Sequence, residues 1–531
     1  MKGDSSVDKD REELIQNTRH SYMIMICTLA SRLLGVVRIS LISNIFGATG
    51  TADIINFTFN IPNNLRKMLA EGALSSAFIP VLSKAIVEDK ANKTKRSSQL
   101  IQQMVTIQTM IFIPLGVLVL LFSEQIIQFL SAFDNEEMIH LSSLMLRYFM
   151  IYLFFISMIA IINSVLNCHN VFTIVAASPL CFSVAVISSL WFLSERFGAM
   201  SFIIGVIAGG ILQFLVILPA YYHLGYRLSF THSLSGEYIH QVLISWLPVI
   251  ITSSIAIVNQ QVAYFFASGL QEGSVTAFTN SIIFWQLPYG LFFNSVATVY
   301  FPRMSNSYHS KDLHTFTVQV GQGIERLLIF LLPSTILLIS LRNELVASIL
   351  YRGAYTLEDT ILTARSVSMF SIGLVAIALY NFLLRLCYSA NKFRVTIISS
   401  LIVTSVDIVL SILFVHNGSD VSYLALANSV SFVCGLIFLT IYTKKQTMIP
   451  LYPGKLLRRI GYLLLLNLPL LFIAVFYDTL KYDWWASGRI MHTFVMTTCL
   501  SLGYGGVTLI MYRLGHVEIL TKKTAVKNHS R

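Results

Sequence analysis

Residues 31–80 read SRLLGVVRISLISNIFGATGTADIINFTFNIPNNLRKMLAEGALSSAFIP, and the fold turns on how this stretch is understood. Its composition is that of two membrane-spanning segments joined by a short Gly/Thr turn, yet Arg32, Arg38, Asp53, Arg66, Lys67 and Glu71 interrupt it. An ionisable group at membrane depth is expensive and normally faces a protein interior or a water-filled cavity. Arginines on adjacent segments therefore point to a pocket for something anionic, and the bidentate guanidinium fork suits phosphate. Near a helix end such charges can instead snorkel to the interface and pair locally, a reading open to Arg66, Lys67 and Glu71. It accommodates Arg32 and Arg38 together less easily, because both lie well inside the apolar run from Tyr22 to Phe46.

Outward from this stretch the whole chain has the same character. Of its 531 residues 55% are hydrophobic and only 12% charged, and the mean hydropathy of +0.70 excludes a soluble globular protein. Successive apolar runs of roughly 20 residues predict an all-α polytopic membrane protein with about fourteen transmembrane helices. The excess of 37 Lys+Arg over 26 Asp+Glu is explained by positive charge in cytoplasmic loops. With no basic soluble domain, no nucleic acid is expected as a partner. With the N-terminus inside, the inner breaks carry Lys84, Lys90, Lys93, Lys95 and Arg96, then Arg227, Arg303, Lys311, Lys392 and Arg394. The opposite side carries Glu124, Asp134, Glu136, Glu137, Glu272, Glu358, Asp359 and Asp420. Arg342 and Arg352 fall on the outer side and run against this pattern. The six cysteines are scattered without paired spacing, so neither a disulfide framework nor a metal site is expected.

An internal repeat is visible. Ala77-Phe78-Ile79-Pro80-Val81-Leu82-Ser83 resembles Val299-Tyr300-Phe301-Pro302-Arg303-Met304-Ser305 at an offset of 222, and Asn170-Val171-Phe172 resembles Asn391-Lys392-Phe393 at 221. Agreement of the offsets predicts two pseudo-repeated six-helix lobes, an architecture that places a transporter's substrate between the repeats. The expected division is a cytoplasmic tail at 1–21, an N-lobe at 22–226, a C-lobe at 227–446, two further helices at 447–512 and a basic cytoplasmic tail at 513–531. Signatures for a bound nucleotide, a catalytic zinc or a nucleophile elbow are absent, so neither an enzyme nor a cofactor is expected. The Trp484-Trp485 pair reads as an outer interfacial anchor.

Particular motifs carry a resemblance. The run Ser31-Arg32-Leu33-Leu34-Gly35-Val36-Val37-Arg38, then Asn44-Ile45-Phe46-Gly47-Ala48, then Asn60-Ile61-Pro62-Asn63-Asn64-Leu65-Arg66-Lys67-Met68-Leu69-Ala70-Glu71-Gly72-Ala73, resembles the opening of the MurJ/MviN lipid II flippases. Gln286-Leu287-Pro288-Tyr289-Gly290-Leu291 and Leu350-Tyr351-Arg352-Gly353-Ala354-Tyr355 are similar to later segments of the same family. The resemblance implies a fourteen-helix fold of the MOP exporter superfamily in the bacterial cytoplasmic membrane, both termini cytoplasmic. It implies movement of lipid II, an undecaprenyl-diphosphate-linked peptidoglycan precursor, from the inner to the outer leaflet by alternating access. Cell-wall synthesis proteins would be its partners beside lipid II and membrane lipids. Arg32, Arg38 and Arg66 match the family's cavity arginines, Asp53 and Glu71 its acidic positions. Asp407 and Ser411 occupy positions linked in some relatives to a cation site; Asp407 is either a cation ligand or proton carrier, or simply an acid hydrogen-bonded to neighbouring serines.

Departures from the pattern bear on the substrate. The family's usual Asp-Arg pair in the eighth helix is here Ile282 and Ile283, and the acidic residue after the second arginine is Ile39. Two readings compete with the flippase: an exporter of another lipid-linked sugar, and a non-transporting scaffold of the cell-wall machinery.

Overall fold

The computed structural model describes residues 4–515 apart from 71, 391, 446–452, 480–483 and 488–489, together with 517. Among the described residues there are only helices, fourteen of whose spans are long and apolar enough to cross a membrane. This is the all-α polytopic fold expected from the hydropathy. Helices satisfy every backbone polar group within one segment, which is the requirement a bilayer core imposes.

The chain divides into two units, Met1–Val275 and Thr276–Arg531. The first contains α1 (Asp4–Phe46), α2 (Gly50–Leu69), α3 (Gly72–Asn92), α4 (Arg96–Leu130), α5 (Glu136–Cys168), α6 (Phe172–Phe197), α7 (Met200–His223) and α8 (Glu237–Ser268). Helix α2 packs on α5 and α8, α1 on α6, and α6 and α7 on one another. The last pairing is close because α7 presents Gly205 and Gly209 four residues apart on one face. A Cβ at Gly209 would stand 2.8 Å from the Phe182 ring and 3.0 Å from the Phe182 carbonyl oxygen. Small residues at such a crossing let two backbones approach and gain dispersion contacts that lipid cannot supply. Around it lies an aromatic cluster in which Phe59 of α2 meets Phe149 and Tyr152 of α5, Phe182 of α6 and Phe202 of α7, with centroids 5.4–6.4 Å apart.

The second unit runs α9 (Ser274–Pro288, its first two residues in the first unit), a π-helical turn at Tyr289–Phe293, α10 (Asn294–His309), α11 (Leu313–Ser340), α12 (Arg342–Leu350), α13 (Leu357–Ser389), α14 (Phe393–His416), α15 (Ser422–Lys445), α16 (Pro453–Thr479) and α17 (Ile490–Leu514). Helix α13 is its axis, packing on α11 and α15. A Cβ at Gly373 of α13 would meet the Ser429 backbone at 2.7 Å, so glycine is required for this approach. The helix starts are specified locally: the Asp312 side chain caps α11 through the Thr315 N–H at 3.0 Å, and Thr356 with Asp359 forms a capping box for α13. The short helix α12 fastens α17 to the rest of the unit, and α16 is tied to α11 by an ion pair of Arg459 with Glu325 at 2.9 Å.

Candidate functional site

Burial separates the three arginines of the opening stretch. Arg32 is exposed, while Arg38 and Arg66 are half-buried. The six residues between Arg32 and Arg38 amount to about one and two-thirds helical turns, so the two side chains leave α1 on different faces. The Arg38 guanidinium lies over the Phe182 ring at 5.5 Å from its centroid, at the edge of the aromatic cluster described above. Arg66 of α2 is close enough for the two like charges to act on each other, with Tyr152 beside them. Arg38 and Arg66, from two helices, are thus near enough for their charges to act on each other, and Arg32 differs from them in exposure.

Asp53 is 2% exposed and accepts a hydrogen bond from the Gly273 N–H at 2.8 Å. Its neighbour Glu272 accepts from the Gly50 N–H at the start of α2. The two contacts clip the first turn of α2 to the connection after α8. Gly273 has φ +89°, and a Cβ there would lie 2.4 Å from the Ala48 carbonyl oxygen, so only glycine fits. The contact described for Asp53 is thus a structural one to backbone. Glu71 lies outside the described residues.

In the second unit Asp407 and Ser411, one turn apart on α14, are both buried. The Asn428 amide of α15 donates to Asp407 Oδ2 at 3.2 Å. A carboxylate 3% exposed within a membrane helix is costly unless hydrogen-bonded or neutralised, and this one can take up a proton or oppose a small cation. Among the described residues no group of three metal-ligating side chains is assembled. Ile282 and Ile283 are half-buried on α9, so the eighth span is apolar at that point.

Sequence reasoning missed Arg385. It sits on α13 between Leu384 and Leu386, and its guanidinium lies 4.9 Å from the centroid of Phe293, which closes the π-helical turn. The criterion that singled out Arg32 and Arg38, arginine inside an apolar run, finds it equally. His169, at the loop after α5, is hydrogen-bonded through Nε2 to the Tyr226 hydroxyl at 3.0 Å; burial and the nearby Lys90 hold its pKa below the ordinary value.

Fourteen apolar spans among the described residues, with guanidinium groups half-buried among them, define a polytopic membrane protein. The fold is similar to that of a multidrug resistance MATE family transporter of the MOP superfamily in an inward-facing conformation, 14% identical, which superposes with a TM-score of 0.65 over 80% of this chain and 97% of its own. A solved lipid II flippase MurJ in an inward closed conformation superposes with a TM-score of 0.77 at 25% identity, over 93% of this chain and all of that one. The family model for lipid II flippase MurJ matches residues 42–504. A "Probable lipid II flippase MurJ" of Borreliella burgdorferi is 33% identical over 468 residues, 87% of this chain and 90% of that protein. One of Vibrio cholerae is 29% identical over 412 residues, 76% and 78% of the two chains. The chain belongs to the MurJ family.

Proposed function

We propose that this protein translocates lipid II across the cytoplasmic membrane, from the inner to the outer leaflet, by alternating access of two lobes at about 22–226 and 227–446. The observation that carries the reading is the Arg38 guanidinium, half-buried over the Phe182 ring on the first unit's aromatic cluster, with Arg66 near enough to act on its charge, in a MurJ-family chain. Two like charges held together in a low-dielectric setting repel, and a diphosphate placed against both converts repulsion into charge-assisted hydrogen bonding. The polyprenyl tail needs no such partner and can remain in lipid. Arg32, by its exposure, serves an earlier or later stage of the headgroup's path than the Arg38–Arg66 pair. Asp53 and Glu71 complete the site on this reading, Asp53 through the helix start that it fixes. Asp407 and Ser411 form the proton or cation site that couples transport to an ion gradient. Both termini lie on the cytoplasmic side.

The half-buried Ile282 and Ile283 favour one alternative, a different lipid-linked sugar with a less demanding headgroup. Complementation separates the two. The gene is expressed in cells whose own lipid II flippase is shut off, and the externally exposed lipid II is quantified. Full membrane insertion without growth or outward lipid II would transfer the assignment to the alternative.

A further inference from the structure

Helix α2 carries three asparagines within five residues, Asn60, Asn63 and Asn64, just before Arg66. Residues three and four apart stand about 5–6 Å from one another on a helix surface. Asn63 therefore lies one turn before Arg66, Asn60 one turn before Asn63, and Asn64 one turn after Asn60. The amides form a row that runs from the arginine toward the start of α2. Asn60 is 8% exposed and Asn64 3%. Among the described residues neither Nδ2 of Asn60 nor either polar atom of Asn64 has a hydrogen-bond partner. Unpaired amides are costly inside a protein, and leucine would fill the same space without that cost.

Helix α8 adds a further amide at the same height. The Ser254 hydroxyl of α8 donates to Met68 Sδ of α2 at 3.0 Å, and the bond between Gly50 and Glu272 ties the opposite ends of this antiparallel pair. Two turns from the first contact toward the second bring Ile61 of α2 level with Gln261 of α8. Gln261 thus stands at the height of Asn60 and Asn64, and its Nε2 also has no partner among the described residues. Val258 and Phe265, about a turn to either side of Gln261, are exposed, so this flank of α8 is open to a bound molecule. The chemistry of the row selects the ligand. A phosphate only accepts hydrogen bonds and would leave Oδ1 of Asn64 unmatched; a metal cation attracts only oxygen and would leave Nδ2 unmatched. Sugar hydroxyls both donate and accept, and satisfy the two atoms together.

We propose that Asn60, Asn64 and Gln261 form a subsite for the sugar of a lipid-linked headgroup, in line with the Arg66 that would take its diphosphate. The assignment rests on the flippase reading and extends it to the uncharged part of the substrate. The test compares two ligands by native mass spectrometry of the full-length protein in neutral detergent: lipid II, and undecaprenyl diphosphate, which has the lipid and the diphosphate but no sugar. Wild type is expected to bind both and to favour lipid II. Asn60→Leu/Asn64→Leu removes two neutral hydrogen bonds and should lower affinity for lipid II roughly tenfold, with undecaprenyl diphosphate binding unchanged. Gln261→Leu should lower it about threefold. Melting temperatures, expected to hold level or rise as unpaired amides give way to leucine, establish that each variant is folded. Should the double variant not fold, Asn64→Leu alone is expected to cut the preference about threefold. Full preference for lipid II in the folded asparagine variants overturns the proposal and leaves the amides to bound water. A wild type that binds undecaprenyl diphosphate as tightly as lipid II also overturns it, with the diphosphate reading intact. One that binds neither lipid removes the flippase reading, and the subsite with it.

Discussion

Replacing Arg38 by glutamine removes the charge while keeping a polar side chain of similar reach. In the structure this guanidinium lies over Phe182 and within reach of a second cation, Arg66. A half-exposed cation–π contact is worth about 0.5–1 kcal/mol, and relief of repulsion between two like charges opposes its loss. The folded protein should therefore change in stability by less than about 1 kcal/mol. Substrate is affected differently, since a hydrogen bond to a charged group contributes roughly 1.5–3 kcal/mol. Removing one such bond to a diphosphate weakens binding by about tenfold to a hundredfold.

Arg38→Lys sharpens the test because it keeps the charge and loses the planar fork. The expected order in lipid II binding is wild type, then lysine, then glutamine, at nearly constant melting temperature. The assay pairs native mass spectrometry of lipid II binding with growth of flippase-depleted cells expressing each variant. If Arg38→Gln binds lipid II and supports growth like wild type, the headgroup does not meet this residue and the proposed pocket is wrong.

Other outcomes follow from single contacts. Asp53→Ala breaks the bond from Gly273 and should cost roughly 1.5–3 kcal/mol in unfolding free energy, with Asp53→Asn retaining most of it; equal denaturation of all three proteins would discount the clip. Gly209→Leu drives a side chain into Phe182, an overpacking expected to cost about 1–3 kcal/mol or more and to lower the yield of folded protein; unchanged melting would contradict the close crossing. The folded protein holds His169 neutral, with its pKa below 6.5, so the unfolded chain takes up a proton first on acidification. The stabilising effect of neutrality is complete above pH 6.5 and is lost as the pH falls through and below that value; His169→Gln should flatten this part of the melting-temperature profile, and a parallel profile would refute it. Arg385→Gln should reduce lipid II binding by up to about tenfold without loss of fold, and unaltered binding would leave the residue a stacking partner of Phe293 alone.

Fourteen spans were legible because hydropathy is a sum over many residues and survives errors at each. Individual contacts have no such redundancy. Asp53 looks like any acid in a first helical turn, and its bond to a backbone N–H some two hundred residues away leaves no mark on the sequence of either segment. The difference between Arg32 and Arg38 was open to helix geometry, since six residues do not return a helix to the same face. What decides which face is inward, however, is Phe182 on a distant helix. Pro288 announces a break in the eighth span, and the π-helical form of the turn that follows depends on packing that a single sequence does not reveal.

The eighth span shows how a motif can mislead when it is read as a fixed column. Ile282 and Ile283 stand where the family pattern has an acid and an arginine, and by sequence alone the second unit lacks a guanidinium there. A guanidinium from another helix meets the same span further along. Arg385 of α13 is stacked on Phe293, just beyond Pro288 on the span that carries the two isoleucines. A guanidinium is a long, flexible donor, and the phosphate it would meet is indifferent to which backbone supports it. Loss of charge from one helix therefore does not imply loss of charge beside that helix. On the proposed reading Arg385 meets this span at Phe293, ten residues beyond Ile283, and it is there that a headgroup passing the second unit would find a guanidinium.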